Sequence, residues 1–270
     1  THGVSPDQVV VGNGSDEIID MLIRMLLVPG KHSVVCFEPC FSIYPIQAQV
    51  CGVEVRRHPL NPDFSFDLDA LFALVDDDTR LVFVTTPDNP SGYCPPLAAM
   101  RRLAEQLERH FPRCLLVVDE AYMDFSDQSL LPEFHDYDNL LLLRTCSKAL
   151  GMAALRVGFA VANRRLTGIL RAAKSPYNVN AVTQAMATVA LSNPLYHEVY
   201  RGLLLTSRDM LVTGLRKLEA EGLLEKVFNS VTNFAYVKVK DTREIYDDLA
   251  DRGILIRRFG EEFLRITAGT

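Results

Sequence analysis

The chain lacks most of the features that would assign its class at a glance. No stretch approaches the ~20 consecutive apolar residues that a membrane-spanning helix needs, so no membrane partner is predicted. The opening residues, Thr1-His2-Gly3-Val4, have neither the basic region nor the apolar core of a signal peptide. There is no run of Lys or Arg. The balance is 28 basic against 34 acidic residues, a formal charge of −6. Such a chain carries no electrostatic footprint for nucleic acid. None of the six cysteines, Cys36, Cys40, Cys51, Cys94, Cys114 and Cys146, forms a C-x-x-C pair, and most sit inside apolar runs. They read as reduced, core-filling thiols of a cytoplasmic protein, not as disulfides or zinc ligands. The six histidines include no H-x-x-x-H, so no metal site is predicted.

What is present is ordinary in bulk and informative in detail. Apolar residues make up 48% and charged residues 23% of 270 positions, close to the average for globular proteins. The length suits one large domain, or one large and one small. Apolar-periodic helices alternate with short β-rich runs. Ser15-Asp16-Glu17 opens a helix with Ser15 read as its N-cap, and Pro29-Gly30 closes it. Strands are predicted at residues 33–37, 53–55, 81–84, 115–118, 140–143 and 157–161, with helices at 41–50, 67–75 and 97–109. The strands are continuously apolar rather than alternating, so both sheet faces should be covered by helices. That is a three-layer α/β domain with a mostly parallel sheet. After about residue 176 the pattern changes to two long helices, 179–191 and 195–219. A smaller mixed segment follows, with strands at 233–239, 254–257 and 263–267 and a helix at 242–252. The predicted division is a large domain over 1–190 and a small α+β domain over 191–270.

In open α/β sheets, ligands bind beyond the carboxyl ends of the strands. The polar residues that follow the apolar strands are therefore the candidates. Asp119 follows the strand ending at Val118, Lys148 follows the one ending at Leu143, and Pro87-Asp88-Asn89-Pro90 follows the one ending at Val84. Gly12-Asn13-Gly14-Ser15-Asp16 stands at a helix start, where free N–H groups and the helix dipole favour a phosphate. Each has an ordinary reading alone: an ion-paired carboxylate, a surface lysine, a turn, a helix cap. A carboxylate at the mouth of a buried strand nevertheless needs a cationic partner. Of the seven lysines only Lys148 closely follows a core strand of the large domain, and a partly desolvated lysine is a nucleophilic amine suited to Schiff-base chemistry. Together these groups match a cofactor with an amine-reactive carbonyl, a basic ring nitrogen and a phosphate, which is pyridoxal 5'-phosphate.

At this point the chain resembles the fold-type-I pyridoxal-phosphate aminotransferases, and within them the histidinol-phosphate aminotransferases. The resemblance runs from about Val4 to Thr270. It rests on Val11-Gly12-Asn13-Gly14-Ser15-Asp16-Glu17, Glu38-Pro39-Cys40-Phe41, Pro87-Asp88-Asn89-Pro90-Ser91-Gly92, Val118-Asp119-Glu120-Ala121-Tyr122, Arg144-Thr145-Cys146-Ser147-Lys148, Leu155-Arg156-Val157-Gly158 and Leu264-Arg265-Ile266-Thr267, in the family's order. It implies that Lys148 forms the imine with the cofactor and then serves as base and acid of the 1,3-proton shift. It implies that Asp119 pairs with the pyridine nitrogen, that Asn89 and Tyr122 bond the ring's O3′, and that Phe41 stacks on the ring. Many relatives have Tyr at the Phe41 position, so a hydroxyl is lost there. The backbone at Gly14, Ser15 and Asp16, with Thr145, Ser147 and Arg156, would hold the phosphate. Arg265 would take the substrate carboxylate bidentately. Arg257 would make a second anion contact, with the adjacent Arg258 not separated from it.

The implied reaction passes an amino group between a small amino donor, glutamate, and a phosphorylated or 2-oxo acid acceptor in histidine biosynthesis, in a cytoplasmic homodimer. Rivals on the same residues are an aromatic-amino-acid aminotransferase and a threonine-phosphate decarboxylase. From another class comes a non-catalytic ligand-binding derivative of the fold. Against the family's pattern both ends read as cut: the chain has no initiator Met, and the family's N-terminal arm and last helix have no counterpart in it.

Overall fold

The computed structural model describes residues 3–269. A 3-10 turn at Pro6–Gln8 leads into strand β1 (Val9–Asn13) and helix α1 (Ser15–Leu26). Then come β2 (Ser33–Glu38), α2 (Ile43–Val50), β3 (Glu54–Pro59), α3 (Leu68–Phe72), β4 (Thr79–Thr85), α4 (Leu97–His110), β5 (Leu115–Asp119), β6 (Leu140–Thr145) and β7 (Val157–Ala162). Three helices follow in a row: α5 (Arg164–Ala173), α6 (Ala181–Leu191) and the long α7 (Pro194–Ala220). The chain ends with β8 (Lys226–Val227), β9 (Phe234–Lys238), α8 (Thr242–Asp251), β10 (Arg257–Phe259) and β11 (Phe263–Thr267). No helix among the described residues is long and apolar enough to cross a membrane.

The first seven strands form one sheet in the order β1-β7-β6-β5-β4-β2-β3. All neighbours pair in parallel except β7, which runs antiparallel to both β1 and β6. Successive residues of each central strand point to opposite faces, and both faces are covered. Cys36, Phe83, Val117 and Leu143 pack with Ile18, Ile19, Leu22 and Ile23 of α1 and with Tyr44 and Ala48 of α2. Phe37, Val84, Val118 and Leu142 pack on the other side with Leu71 of α3 and Met100, Leu103 and Leu107 of α4. That is the three-layer α/β arrangement the apolar strands predict. The α1 residues recur at i and i+4, the stripe that buries one helix face. Free thiols fill part of this core: Cys36, Cys114 and Cys146 are buried and the other three half-buried.

A second sheet, wholly antiparallel, has the order β10-β11-β9-β8. Val227, Val237 and Leu264 pack there with Leu215 of α7 and with Ile245 and Leu249 of α8. Asp241 caps α8, its carboxylate accepting from the backbone N–H of Arg243 and Glu244 at 2.8 and 3.1 Å. The two parts meet where Tyr122, Phe125 and Ala149 pack against Leu204 of α7 and Phe234 of β9. The Tyr122 and Phe234 rings meet edge to face at 5.2 Å.

Several expectations need correction. Ser15 is not the N-cap of α1. Gly14 holds that place with φ +79° and Ser15 is already helical, so no side chain caps the helix. Strand β1 and helix α5 were not expected. β1 is an edge strand that runs straight into a glycine-rich turn, and α5 buries only Thr167 and Leu170. The strand expected at 254–257 lies instead at Arg257–Phe259, because Ile254 and Leu255 remain exposed loop residues.

Candidate active site

Three parallel strands end side by side at Thr85, Asp119 and Thr145, with Thr85 paired to Asp119 across β4 and β5. The cleft above them is lined by Ser15, Asp16, Phe41, Thr85, Asn89, Asp119, Ala121, Tyr122, Thr145, Ser147, Lys148 and Arg156. Apart from Gly14, the predicted cofactor residues therefore surround one space. Thr85 and Ala121 were missed. Thr85 ends a core strand and was open to the same rule that picked out Asp119.

Asp119 is 2% exposed. Its Oδ1 accepts from the backbone N–H of Ala121 at 3.0 Å and its Oδ2 from the Tyr44 hydroxyl at 2.7 Å. Burial pushes its pKa up to about 6, against the lowering effect of those two bonds and of the Lys148 charge. It has no ion pair among the described residues, so a buried carboxylate faces the cleft without a bonded cation. The ring nitrogen of a pyridine, once protonated, is the partner such a group calls for. Sequence reasoning missed Tyr44 because it sits inside α2, where it looks like one more core aromatic.

Lys148 follows β6, with Nζ 5.3 Å from the centroid of the Tyr122 ring. Tyr122 is buried with its ring against Phe234 and its edge on the cleft. Asn89 is set by the turn after β4. There the buried Asp88 accepts from the Ser91 backbone N–H at 3.0 Å and the Ser91 hydroxyl at 2.6 Å. The Asn89 side-chain oxygen accepts from Arg265.

At the other end of the cleft, α1 presents the unpaired N–H groups of its first turn. Gly158 of β7 packs so closely on that turn that a Cβ there would lie 2.2 Å from the Ser15 nitrogen, and a Cβ on Gly14 would lie 2.5 Å from Arg156 Nη2. Arg156 itself has φ +54°, a left-handed conformation that places its guanidinium 3.1 Å from Asp16. The Thr145 hydroxyl donates to Ser147 Oγ at 3.0 Å and accepts from the Ser147 N–H at 3.1 Å. Helix N–H groups, two hydroxyls and a guanidinium around a glycine-lined hollow suit a phosphate. The donor set as a whole fits pyridoxal phosphate. Among the described residues no group of His, Cys, Asp and Glu is placed to hold a metal ion.

Arg265 leads outward from this site. Lys148, Tyr122 and Arg265 line an adjoining cleft, and Arg257 and Arg265 line a third. The Arg265 guanidinium lies over the Phe234 and Phe259 rings at 5.1 and 5.8 Å, and its buried Nε has no hydrogen-bond partner. Burial pushes its pKa down, opposed by Tyr122 and reinforced by the Arg257 charge. A stacked guanidinium with a free donor is a place for a carboxylate.

The pattern that defines the family "Aminotransferase class I and II" matches residues 2–270, and the chain belongs to that family. Pyridoxal phosphate is its cofactor, as the motifs predict. Curated relatives are histidinol-phosphate aminotransferases. The protein of that name from Nitratidesulfovibrio vulgaris (strain Hildenborough) is 41% identical over 99% of this chain and 72% of its own length. That from Oleidesulfovibrio alaskensis is 40% identical over 100% of this chain and 72% of its own length. Among solved structures, histidinol-phosphate aminotransferase from Sinorhizobium meliloti, in complex with pyridoxal-5'-phosphate, superposes with a TM-score of 0.87 at 26% identity, covering 100% of this chain and 74% of that one.

Proposed function

We propose that this chain transfers an amino group between glutamate and imidazole acetol phosphate in histidine biosynthesis, giving 2-oxoglutarate and histidinol phosphate. The observation that carries the reading is the meeting of Lys148, Asp119, Asn89 and Tyr122 around a cleft whose far end is built for a phosphate. The 41% identity to a histidinol-phosphate aminotransferase supports the choice of substrate.

Pyridoxal phosphate, when bound, supplies an aldehyde that takes up the amine and a pyridinium ring that draws electrons from it. The chain's own residues do the rest. Lys148 would hold the cofactor through Nζ, and the same amine, beside the reacting atoms, would be the group that takes up and returns the proton. Asp119 would keep the ring nitrogen protonated. Asn89 and Tyr122 would bond the ring's hydroxyl oxygen, and Phe41 would cover the ring face. The N–H groups at Ser15 and Asp16, at the turn opened by Gly14, would bind the phosphate with Thr145, Ser147 and Arg156. Arg265 would take the α-carboxylate of glutamate, and Arg257 its distal carboxylate or the phosphate of the other substrate.

A cytoplasmic homodimer belongs to the same reading. Val182, Met186 and Val189 of α6 and Leu195, Val199 and Leu203 of α7 are all exposed, a concentration of apolar surface that a second copy would cover. So does a boundary near residue 190 between a large domain that binds the cofactor and a small one that carries Arg257 and Arg265.

The test is direct. The purified chain is loaded with pyridoxal phosphate, reduced with borohydride and digested, with Lys148→Ala as control. The cofactor mass is expected on the peptide that contains Lys148. Its absence there sinks the proposal. Single-turnover bleaching with histidinol phosphate, phenylalanine and threonine phosphate then ranks substrates, and a preference for either of the last two overturns the assignment.

A further inference from the structure

Tyr44 is a buried tyrosine with no part in the chemistry described so far. It sits in the first turn of α2 and is 1% exposed. Its ring stacks on Phe83 at 4.5 Å with an interplanar angle of 6°, and it meets Phe41 edge to face at 5.5 Å. Its hydroxyl donates to Asp119 Oδ2 at 2.7 Å and lies 2.8 Å from Thr85 Oγ1. A phenol has one proton. With that proton committed to Asp119, the Thr85 hydroxyl is the donor to the Tyr44 oxygen. Tyr44 thus touches both the carboxylate at one edge of the cofactor cleft and the aromatic ring at its face.

We infer that Tyr44 is a positioning residue for Asp119, fixing the plane of its carboxylate and holding it ionised to meet the protonated ring nitrogen of the bound cofactor, with its own ring backing Phe41. The inference rests on the reading that Asp119 faces that nitrogen. The physical argument concerns neutral donors. Asp119 is held by Tyr44 on one oxygen and by the Ala121 N–H on the other. Both bonds favour the ionised form without supplying a positive charge. The carboxylate is therefore oriented yet still has its charge to offer a cation in the cleft. An arginine in Tyr44's place would neutralise it; an apolar residue would let burial protonate it. The Lys148 and Asp16 charges also act on Asp119, in opposite senses. Burial and the Asp119 charge push the Tyr44 pKa well up, so the phenol stays a donor.

The experiment is a double-mutant cycle on the full chain, with Tyr44→Phe, Asp119→Asn and the pair. Tyr44→Phe keeps both ring contacts and removes one oxygen. It is expected to weaken pyridoxal-phosphate affinity on the order of tenfold, and to raise the Asp119 titration, followed by carboxyl NMR without cofactor, by about one unit. In the Asp119→Asn background most of that loss of affinity should vanish, because the route of the effect is gone. An unchanged Asp119 titration, or an equal loss in both backgrounds, makes Tyr44 a packing residue only and overturns the inference. Should Tyr44→Phe not fold, 3-fluorotyrosine at position 44 keeps the ring and makes the phenol a stronger donor to Asp119, so it should lower the Asp119 titration, and an unmoved titration there overturns the inference equally. If Asp119→Asn alone leaves affinity and visible spectrum unaltered, the assignment of Asp119 fails first and the role of Tyr44 falls with it.

Discussion

Arg257 and Arg265 stand directly opposite each other on the antiparallel pair β10–β11. Residues so paired project from the same sheet face and the next residue along projects from the other. Arg258 accordingly turns away, donating through Nε to Thr242 Oγ1 at 3.1 Å and lying 3.9 Å from Glu261. The register thus separates two arginines that adjacency in the sequence leaves equivalent. Arg257, with no ion pair among the described residues, shares its crevice with Arg265. Arg257→Ala is expected to raise KM for the anionic substrate about tenfold or more, since a charge-assisted hydrogen bond contributes roughly 1.5–3 kcal/mol. Arg258→Ala should leave the kinetics unchanged. Steady-state assays of both variants with glutamate and histidinol phosphate check this. Equal effects would remove Arg257 from the pocket.

Arg265→Lys preserves the charge and loses the fork. The guanidinium lies over two aromatic rings, with one nitrogen bonded to Asn89 and another free. An ammonium cannot bind a carboxylate bidentately and hold Asn89 as well. The expected outcome is a fall in kcat/KM on the order of a hundredfold with cofactor affinity nearly unchanged. Fluorescence titration of the cofactor alongside the kinetics separates the two quantities. A matching loss of cofactor affinity would mean that Arg265 acts mainly through Asn89.

Much of this site was legible because chemistry concentrates at strand ends. Asp119, Lys148 and Asn89 each follow a run of apolar residues, and a polar group there has few other reasons to exist. Tyr44 was not legible for the converse reason. It lies on the buried face of an amphipathic helix, where an aromatic residue is expected, and only the register of α2 against β4 and β5 brings its hydroxyl to Asp119. The fold followed a similar division. Strands buried on both faces announce themselves as apolar runs, whereas β1 is an edge strand with alternate residues exposed and α5 is held by few buried contacts. The antiparallel direction of β7 leaves no trace in composition at all.

Gly158 offers a test of the phosphate end. Its contact with the start of α1 leaves no room for a side chain, since a Cβ would lie 2.2 Å from the Ser15 nitrogen. Gly158→Ala must displace the first turn of the helix, backbone against backbone. A stability loss of about 1–3 kcal/mol is expected from overpacking. Affinity for inorganic phosphate should drop as well, because the N–H groups lose their common focus. Denaturant titration and phosphate protection of that unfolding measure both. Loss of stability with phosphate binding intact would place the anion elsewhere.

Asp88 links the turn that carries Asn89 to pH. The side chain is 1% exposed, and burial pushes its pKa up to about 6, opposed by its bonds to Ser91. In the unfolded chain an aspartate titrates near ~3.9. The native protein therefore binds this proton more tightly than the unfolded chain does. The stabilisation this confers is fully present below about pH 4 and is lost as pH rises through about 6. Other carboxylates, such as Glu133 beside Arg101, are held below their ordinary range and act in the opposite sense, weakening the fold as pH falls. They are common to wild type and Asp88→Asn, so they cancel in the difference between the two. Asn cannot titrate and still offers Ser91 an acceptor oxygen. The stability of wild type relative to Asp88→Asn should therefore decline by up to about 3 kcal/mol between pH 4 and pH 7.5. Urea unfolding of the cofactor-free protein across that range measures it. A difference that stays flat with pH would show that Asp88 remains ionised throughout, with its Ser91 bonds outweighing the cost of burial.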